Sequence, residues 1–113
     1  MEILNLENNI VIFKIKEDIM GYKVDALKEH IQTQLSKNNK NIILDLNMID
    51  YIDSLGIGAI IKLHKQIQDD NGSFIIINMS KAIYKLITML NIEKTLSIKE
   101  NIKEAIDFFK LVK

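Results

Sequence analysis

The chain of 113 residues has no cysteine, no proline and only four glycines. Without cysteine it can form neither a disulfide nor a thiolate metal site. Without proline, and with no Gly/Ser-rich or low-complexity tract, it shows no linker; no internal repeat is visible either. An excess of charge of one sign is also missing, because 15 Lys+Arg balance 15 Asp+Glu. Bulk charge therefore recruits neither a nucleic acid nor an anionic membrane. No apolar run reaches the length of a bilayer span. Met1-Glu2-Ile3-Leu4-Asn5 lacks the basic and apolar regions of a signal peptide, so the expected location is the cytoplasm. His30 and His64 lie far apart with no ligand spacing around them. Both are expected on a helix surface or rim.

What the chain does have is apolar surface to bury. Apolar residues make up 48% of it, enough for one core at a length that suits one domain, expected to span residues 1–113. Ile3 to Leu6 and Ile10 to Lys16 read as two strands, joined tightly through Glu7-Asn8-Asn9 because Asn tolerates left-handed geometry. Phe13 and Ile15 fall on one face of the second, Lys14 and Lys16 on the other. Glu17 to Lys23 is a loop. Val24, Leu27, Ile31 and Leu35 then form a helical stripe that ends near Ser36-Lys37-Asn38-Asn39-Lys40.

Asn41 to Leu46 is the most strand-like segment, and its unbroken Ile42-Ile43-Leu44 predicts burial on both faces. A helix is expected from Ser54 to about Asp70, with Ile57, Ile60, Ile61, His64 and Ile67 inward. Phe74 to Ile77 is a second buried strand. Ser80 caps a helix carrying Ile83, Leu86, Ile87 and Leu90. Thr95 to Ile98 reads as an edge strand, and Asn101 caps a last helix with Ile102, Ala105, Ile106 and Phe109 inward. The order β-β-α-β-α-β-α-β-α predicts an α/β fold: a mostly parallel mixed sheet with an N-terminal antiparallel hairpin strand and about four helices.

The chemistry concentrates in Asp50-Tyr51-Ile52-Asp53-Ser54-Leu55-Gly56-Ile57-Gly58. A strand runs into a short loop that brings Asp53 and Ser54 to a helix start. Either residue can cap, because a side-chain oxygen there satisfies an orphan backbone N–H. The same position puts a hydroxyl at the positive end of a helix dipole, beside N–H groups that a phosphate could use. Gly56 and Gly58 lower the steric wall around that hydroxyl. Catalysis is not expected. Ser54 and His64 would be separated by about 15 Å of helical rise, Asp50 and Asp53 lack further carboxylates to complete a metal site, and no P-loop pattern is present. No cofactor and no metal are expected.

Asp53-Ser54-Leu55-Gly56-Ile57-Gly58, preceded by Ile43-Leu44-Asp45-Leu46, resembles the signature of the STAS family, the anti-sigma factor antagonists. The resemblance extends over nearly the whole chain, including Gly72-Ser73-Phe74-Ile75-Ile76-Ile77-Asn78 and Glu104-Ala105. It implies the STAS fold and a protein-binding module that is not an enzyme. It also implies phosphorylation of Ser54 by a partner Ser/Thr kinase that acts as an anti-sigma factor. The unmodified form would bind that partner, the phosphorylated form would release it, and a Ser/Thr phosphatase would reset the module. Implied partner contacts are Met20, Gly21, Met48, Asp50, Asp53, Ser54, Leu55, Gly56, Gly58 and Lys62. Two positions depart from the family pattern. Met20 stands where an aspartate is usual, and Leu55 where the residue is usually small. The alternative is a constitutive scaffold subunit of a multiprotein regulatory or lipid-transport complex, in which Ser54 merely caps its helix. Self-association stays open.

Overall fold

The computed structural model describes residues 1–111. Five strands form one sheet in sequential order: β1 (Glu2–Asn5), β2 (Ile10–Lys14), β3 (Asn41–Asp45), β4 (Ser73–Ile77) and β5 (Ser97–Lys99). β1 is antiparallel to β2, and every later neighbour pair is parallel. Four helices connect or follow them: α1 (Val24–Ser36), α2 (Ser54–Asp69), α3 (Lys81–Met89) and α4 (Ile102–Leu111). A 3₁₀ turn, Gly21–Lys23, leads into α1. The order of elements and the mixed sheet are those expected from the sequence. Strand bounds moved by a residue or two. β5 begins at Ser97 because the N–H groups of Thr95 and Leu96 are still bonded to the Ile92 carbonyl in a turn.

Strand alternation divides the core in two. Val11, Phe13, Ile42, Leu44, Phe74 and Ile76 face α1, α2 and α3. Ile10, Ile12, Ile43, Ile75 and Ile77 face Ala105 and Phe109 of α4. β3 is buried on both faces, which explains why its sequence is an uninterrupted apolar run.

Asparagine does the work that glycine usually does at turns. Among the described residues, all six non-glycine residues at positive φ are asparagines, with φ between 57° and 67°, and no glycine adopts positive φ. Asn8 and Asn9 occupy the β1–β2 turn, where a two-residue hairpin needs this geometry. Asn38, Asn71 and Asn91 each lie one residue past a helix cap. There, the N–H groups of Asn39, Gly72 and Ile92 reach back to the carbonyls of Gln34, Ile67 and Ile87. This is the Schellman arrangement, and it stops three helices at defined places.

His64 departs from the surface or rim position expected for it. It lies on the inner face of α2, 4% exposed, with its ring 6.3 Å from that of Phe74. Its Nδ1 has no hydrogen-bond partner. Burial lowers its pKa from the ordinary histidine value, and the polar Phe74 backbone offsets this only in part.

Two measurements follow. Folding lowers the His64 pKa, so on acidification the unfolded chain takes up this proton, near pH 6.5, before the native state does. Stability should therefore be complete above that pH and fall as pH drops below it, by at most ~1.4 kcal/mol per pH unit. Urea midpoints at pH 7.5 and pH 5.5 should differ for the wild type, and His64→Phe should reduce that difference. Asn71→Ala should destabilise by up to about 1 kcal/mol, because alanine lacks the short polar side chain that eases asparagine into the left-handed region, while Asn71→Gly should be neutral or stabilising by the same assay.

Candidate functional site

The β2–α1 and β3–α2 loops meet beyond the C-terminal ends of their strands. They are joined by an isolated parallel bridge between Ile19 and Ile52. Ile19 N–H donates to the Tyr51 carbonyl, and Asp53 N–H donates to the Ile19 carbonyl. Asp18 adds a further tie, with Oδ1 accepting from the N–H groups of Asp50 (3.1 Å) and Tyr51 (3.3 Å). Asp45, at the end of β3, accepts from Asn47 N–H and from the Asn78 side-chain amide. It thus joins the β3–α2 loop to the loop after β4. A Lys23–Glu17 ion pair braces the first loop at its exposed rim, and Lys23 holds the Glu17 carboxyl below the usual carboxylate range.

Asp53 is the residue on which the loops converge. Its backbone is extended, and its Oδ1 accepts from Gly56 N–H at 2.8 Å, which makes it the N-cap of α2. Its Oδ2 accepts from Gly21 N–H at 2.7 Å. One carboxylate therefore fixes both the start of α2 and the 3₁₀ turn.

The cap is therefore Asp53, and Ser54 is left as the first residue of α2. Ser54 is exposed, and its hydroxyl has no hydrogen bond among the described residues. Gly56 N–H is taken by the Asp53 side chain and Ile57 N–H by the Asp53 carbonyl. Among the described residues the N–H groups of Ser54 and Leu55 have no acceptor, and they lie at the helix end, where positive dipole charge is concentrated.

The two glycines differ in what surrounds them. The sequence suggests that both open the surface beside the hydroxyl; for Gly56 this is corrected. Gly56 is buried, and a Cβ there would lie 2.8 Å from Cγ2 of both Ile19 and Ile52 and 3.0 Å from the Ile19 carbonyl oxygen. Its lack of a side chain lets α2 seat on the bridge between the two loops. Gly58, one turn beyond Ser54, would have a Cβ with nothing within 4 Å. It forms a shallow notch on the outer face.

Gly21 lies beneath Leu55: a Cβ at position 21 would come within 2.5 Å of Leu55 Cδ1. Met20 is half-buried, while Asp50 and Lys62 are exposed. Met48 and Leu55 are large apolar side chains left at the surface, 64% and 69% exposed. Tyr51, 50% exposed, joins them. Sequence reasoning did not single out Tyr51 as a contact. Its signal was an aromatic residue between Asp50 and Asp53, lying between the apolar positions Ile49 and Ile52 that fix the loop inward. Asp18 was also passed over, and it is a loop-positioning carboxylate. The described residues hold no group of three or more His, Asp or Glu side chains placed to bind a metal ion.

Hydroxyl, loops and sheet define the class: residues 4–105 match the STAS domain profile, and the chain belongs to that family. Among individual relatives, a Thermotoga maritima protein described as a candidate anti-sigma factor antagonist is 26% identical over 73 residues. That match spans 65% of this chain and 65% of the relative's length. A crystal structure of a Thermotoga maritima protein of the same description has a TM-score of 0.87 at 20% identity, covering 94% of this chain and 91% of that one. The unphosphorylated form of the anti-sigma factor antagonist SpoIIAA has a TM-score of 0.75 at 17% identity, with 96% of each chain covered. These structural likenesses establish a common fold.

The contrast between the glycines is testable by stability alone. Gly58→Ala should stabilise the isolated protein by about 0.5–1 kcal/mol, because alanine is the better helix former and meets no neighbour. Gly56→Ala should destabilise it by about 1–3 kcal/mol through overpacking. Chemical denaturation of both variants checks the sign.

Proposed function

We propose that the protein is an anti-sigma factor antagonist, a phospho-regulated binding module. It binds a Ser/Thr kinase that acts as an anti-sigma factor when Ser54 is unmodified, and releases it when Ser54 carries phosphate. The observation that carries this reading is the free, exposed hydroxyl of Ser54, with the capping role assigned to its neighbour. A serine needed only to start a helix would use its oxygen to do so.

The surroundings suit a docked surface. Met48, Tyr51 and Leu55 offer apolar anchors, and Gly58 admits a protruding partner side chain. Burying side chains of this kind contributes on the order of 1.5–3 kcal/mol each when complete, offset by the cost of association. Asp50, Asp53 and Lys62 set charge around these anchors, and Met20 and Gly21 support them from the neighbouring loop.

Phosphorylation adds roughly −1.5 to −2 charges. It places them beside Asp53 and near Asp50. The free N–H groups and the helix dipole return only about 0.3–1 kcal/mol at an exposed position. A net penalty of about 3–4 kcal/mol on docking lowers affinity a few hundredfold, enough to switch partners. The kinase supplies ATP and magnesium, and a Ser/Thr phosphatase restores the hydroxyl; the module itself performs no chemistry. SpoIIAA, which shares the fold, has been solved in unphosphorylated and phosphorylated forms, and this supports the reading.

The test is capture from native lysate with mass spectrometry, comparing wild type with Ser54→Asp. Wild type should retain an ATP-binding Ser/Thr kinase, and Ser54→Asp should retain at least tenfold less. Equal retention of one partner set by both forms would overturn the switch and leave the constitutive scaffold.

A further inference from the structure

β5 is an edge strand. It pairs with β4 through Ser97, Ile98 and Lys99, and the other side of its backbone meets no strand among the described residues. Proteins usually block such an edge with proline, a bulge, a lysine, a very short strand or a covering element, because it is a template for another chain; β5 is kept to three residues, and its one lysine, Lys99, lies over the Phe108 ring. Here the edge is the floor of an open groove of about 710 Å³. Tyr84 of α3 lines it from one side of the sheet, and Glu104 and Phe108 of α4 from the other. The groove therefore offers aromatic surface on both walls and unpaired backbone groups between them.

Its charge selects what can enter. Glu93, Glu100 and Glu104 line the groove against a single cation, Lys99. The Lys99 ammonium is itself engaged, 5.2 Å from the centroid of the Phe108 ring. Glu93 carries a buried Oε2 with no hydrogen-bond partner among the described residues.

We propose that this groove is a second docking surface, independent of Ser54, which takes an extended basic segment of a partner protein by strand addition to β5. The segment's backbone continues the sheet. Its alternate side chains divide between the two walls, apolar residues against Tyr84 on one face and lysine or arginine toward Glu104 beside Phe108 on the other, the division that strand geometry imposes. An acidic segment would meet three carboxylates and be rejected.

The test uses the isotope-labelled full chain and follows backbone amides by NMR during titration with capped peptides. The probes are a Lys-Val repeat, its Glu-Val counterpart, and a Lys-Val repeat methylated on alternate backbone nitrogens. The Lys-Val peptide should give saturable shifts at Ser97 to Glu100, Tyr84 and Phe108. The Glu-Val and methylated peptides should bind about tenfold more weakly or worse. Glu104→Gln, at an exposed helix position, and Glu93→Gln should each weaken Lys-Val binding while leaving the remaining spectrum in place. Equal affinity of the methylated peptide, shifts centred on the Ser54 loop, or no shifts at millimolar peptide would each overturn the proposal.

Discussion

The site depends on one carboxylate. Asp53 accepts the Gly56 N–H with one oxygen and the Gly21 N–H with the other. These two bonds join a helix N-terminus to a loop 32 residues earlier in the chain. A charged acceptor makes each of them stronger than a neutral pair. The consequence for Ser54 is indirect but decisive. With capping assigned to Asp53, the serine oxygen has no structural duty, and the first two N–H groups of α2 remain open. The proposed alternation between a hydroxyl and a phosphate depends on this separation. If the serine were the cap, modification would perturb the helix as well as the surface.

Much of this was legible in the sequence, for physical reasons that can be named. β3 and β4 announce themselves as unbroken apolar runs because both faces of a central parallel strand are buried. Ser80 and Asn101 were readable as caps because their side chains accept from Ile83 and Glu104 N–H, the ordinary three-residue reach. The ambiguity between Asp53 and Ser54 could not be resolved locally. Both are good caps, and the choice is fixed by Gly21, a residue contributed by another loop. Gly56 and Gly58 likewise look alike in one dimension. Only the Ile19–Ile52 bridge beneath α2 makes one a packing requirement and the other a notch. Asn8 and Asn9 were legible as turn residues, and the structure gives Asn38, Asn71, Asn78 and Asn91 the same left-handed backbone role. His64 was read onto the inner stripe of α2 by spacing, yet expected at a rim by residue type; spacing was the better guide.

The two departures from the family pattern are best understood together with the loop they face. Leu55 leans over Gly21, and that contact leaves no room for a side chain at position 21. Met20, beside it, is half-buried and starts the 3₁₀ turn. The loop therefore needs no aspartate at position 20 to hold it. Asp18 secures it from one side through the N–H groups of Asp50 and Tyr51, and Asp53 from the other through Gly21.

Leu55 also bears on the energetics of the proposed switch. A small residue there would leave the hydroxyl in a polar, hydrated setting, where a docked partner could retain water around a phosphate. Leucine instead completes an apolar rim with Met48 and Tyr51. A surface that closes on this rim must strip water from whatever stands at its centre. Stripping water from a hydroxyl costs on the order of 1–3 kcal/mol when it finds no partner. A doubly charged phosphate costs several times more unless cations meet it. Lys62 lies two helical turns further along α2, at about 12 Å of rise from Ser54, too far to serve as that cation. Asp53, next to Ser54 and capping the same helix, has the wrong sign. The substitution that departs from the family pattern therefore raises the difference in docking energy between the two forms of Ser54, because it makes the surroundings of the added charge drier.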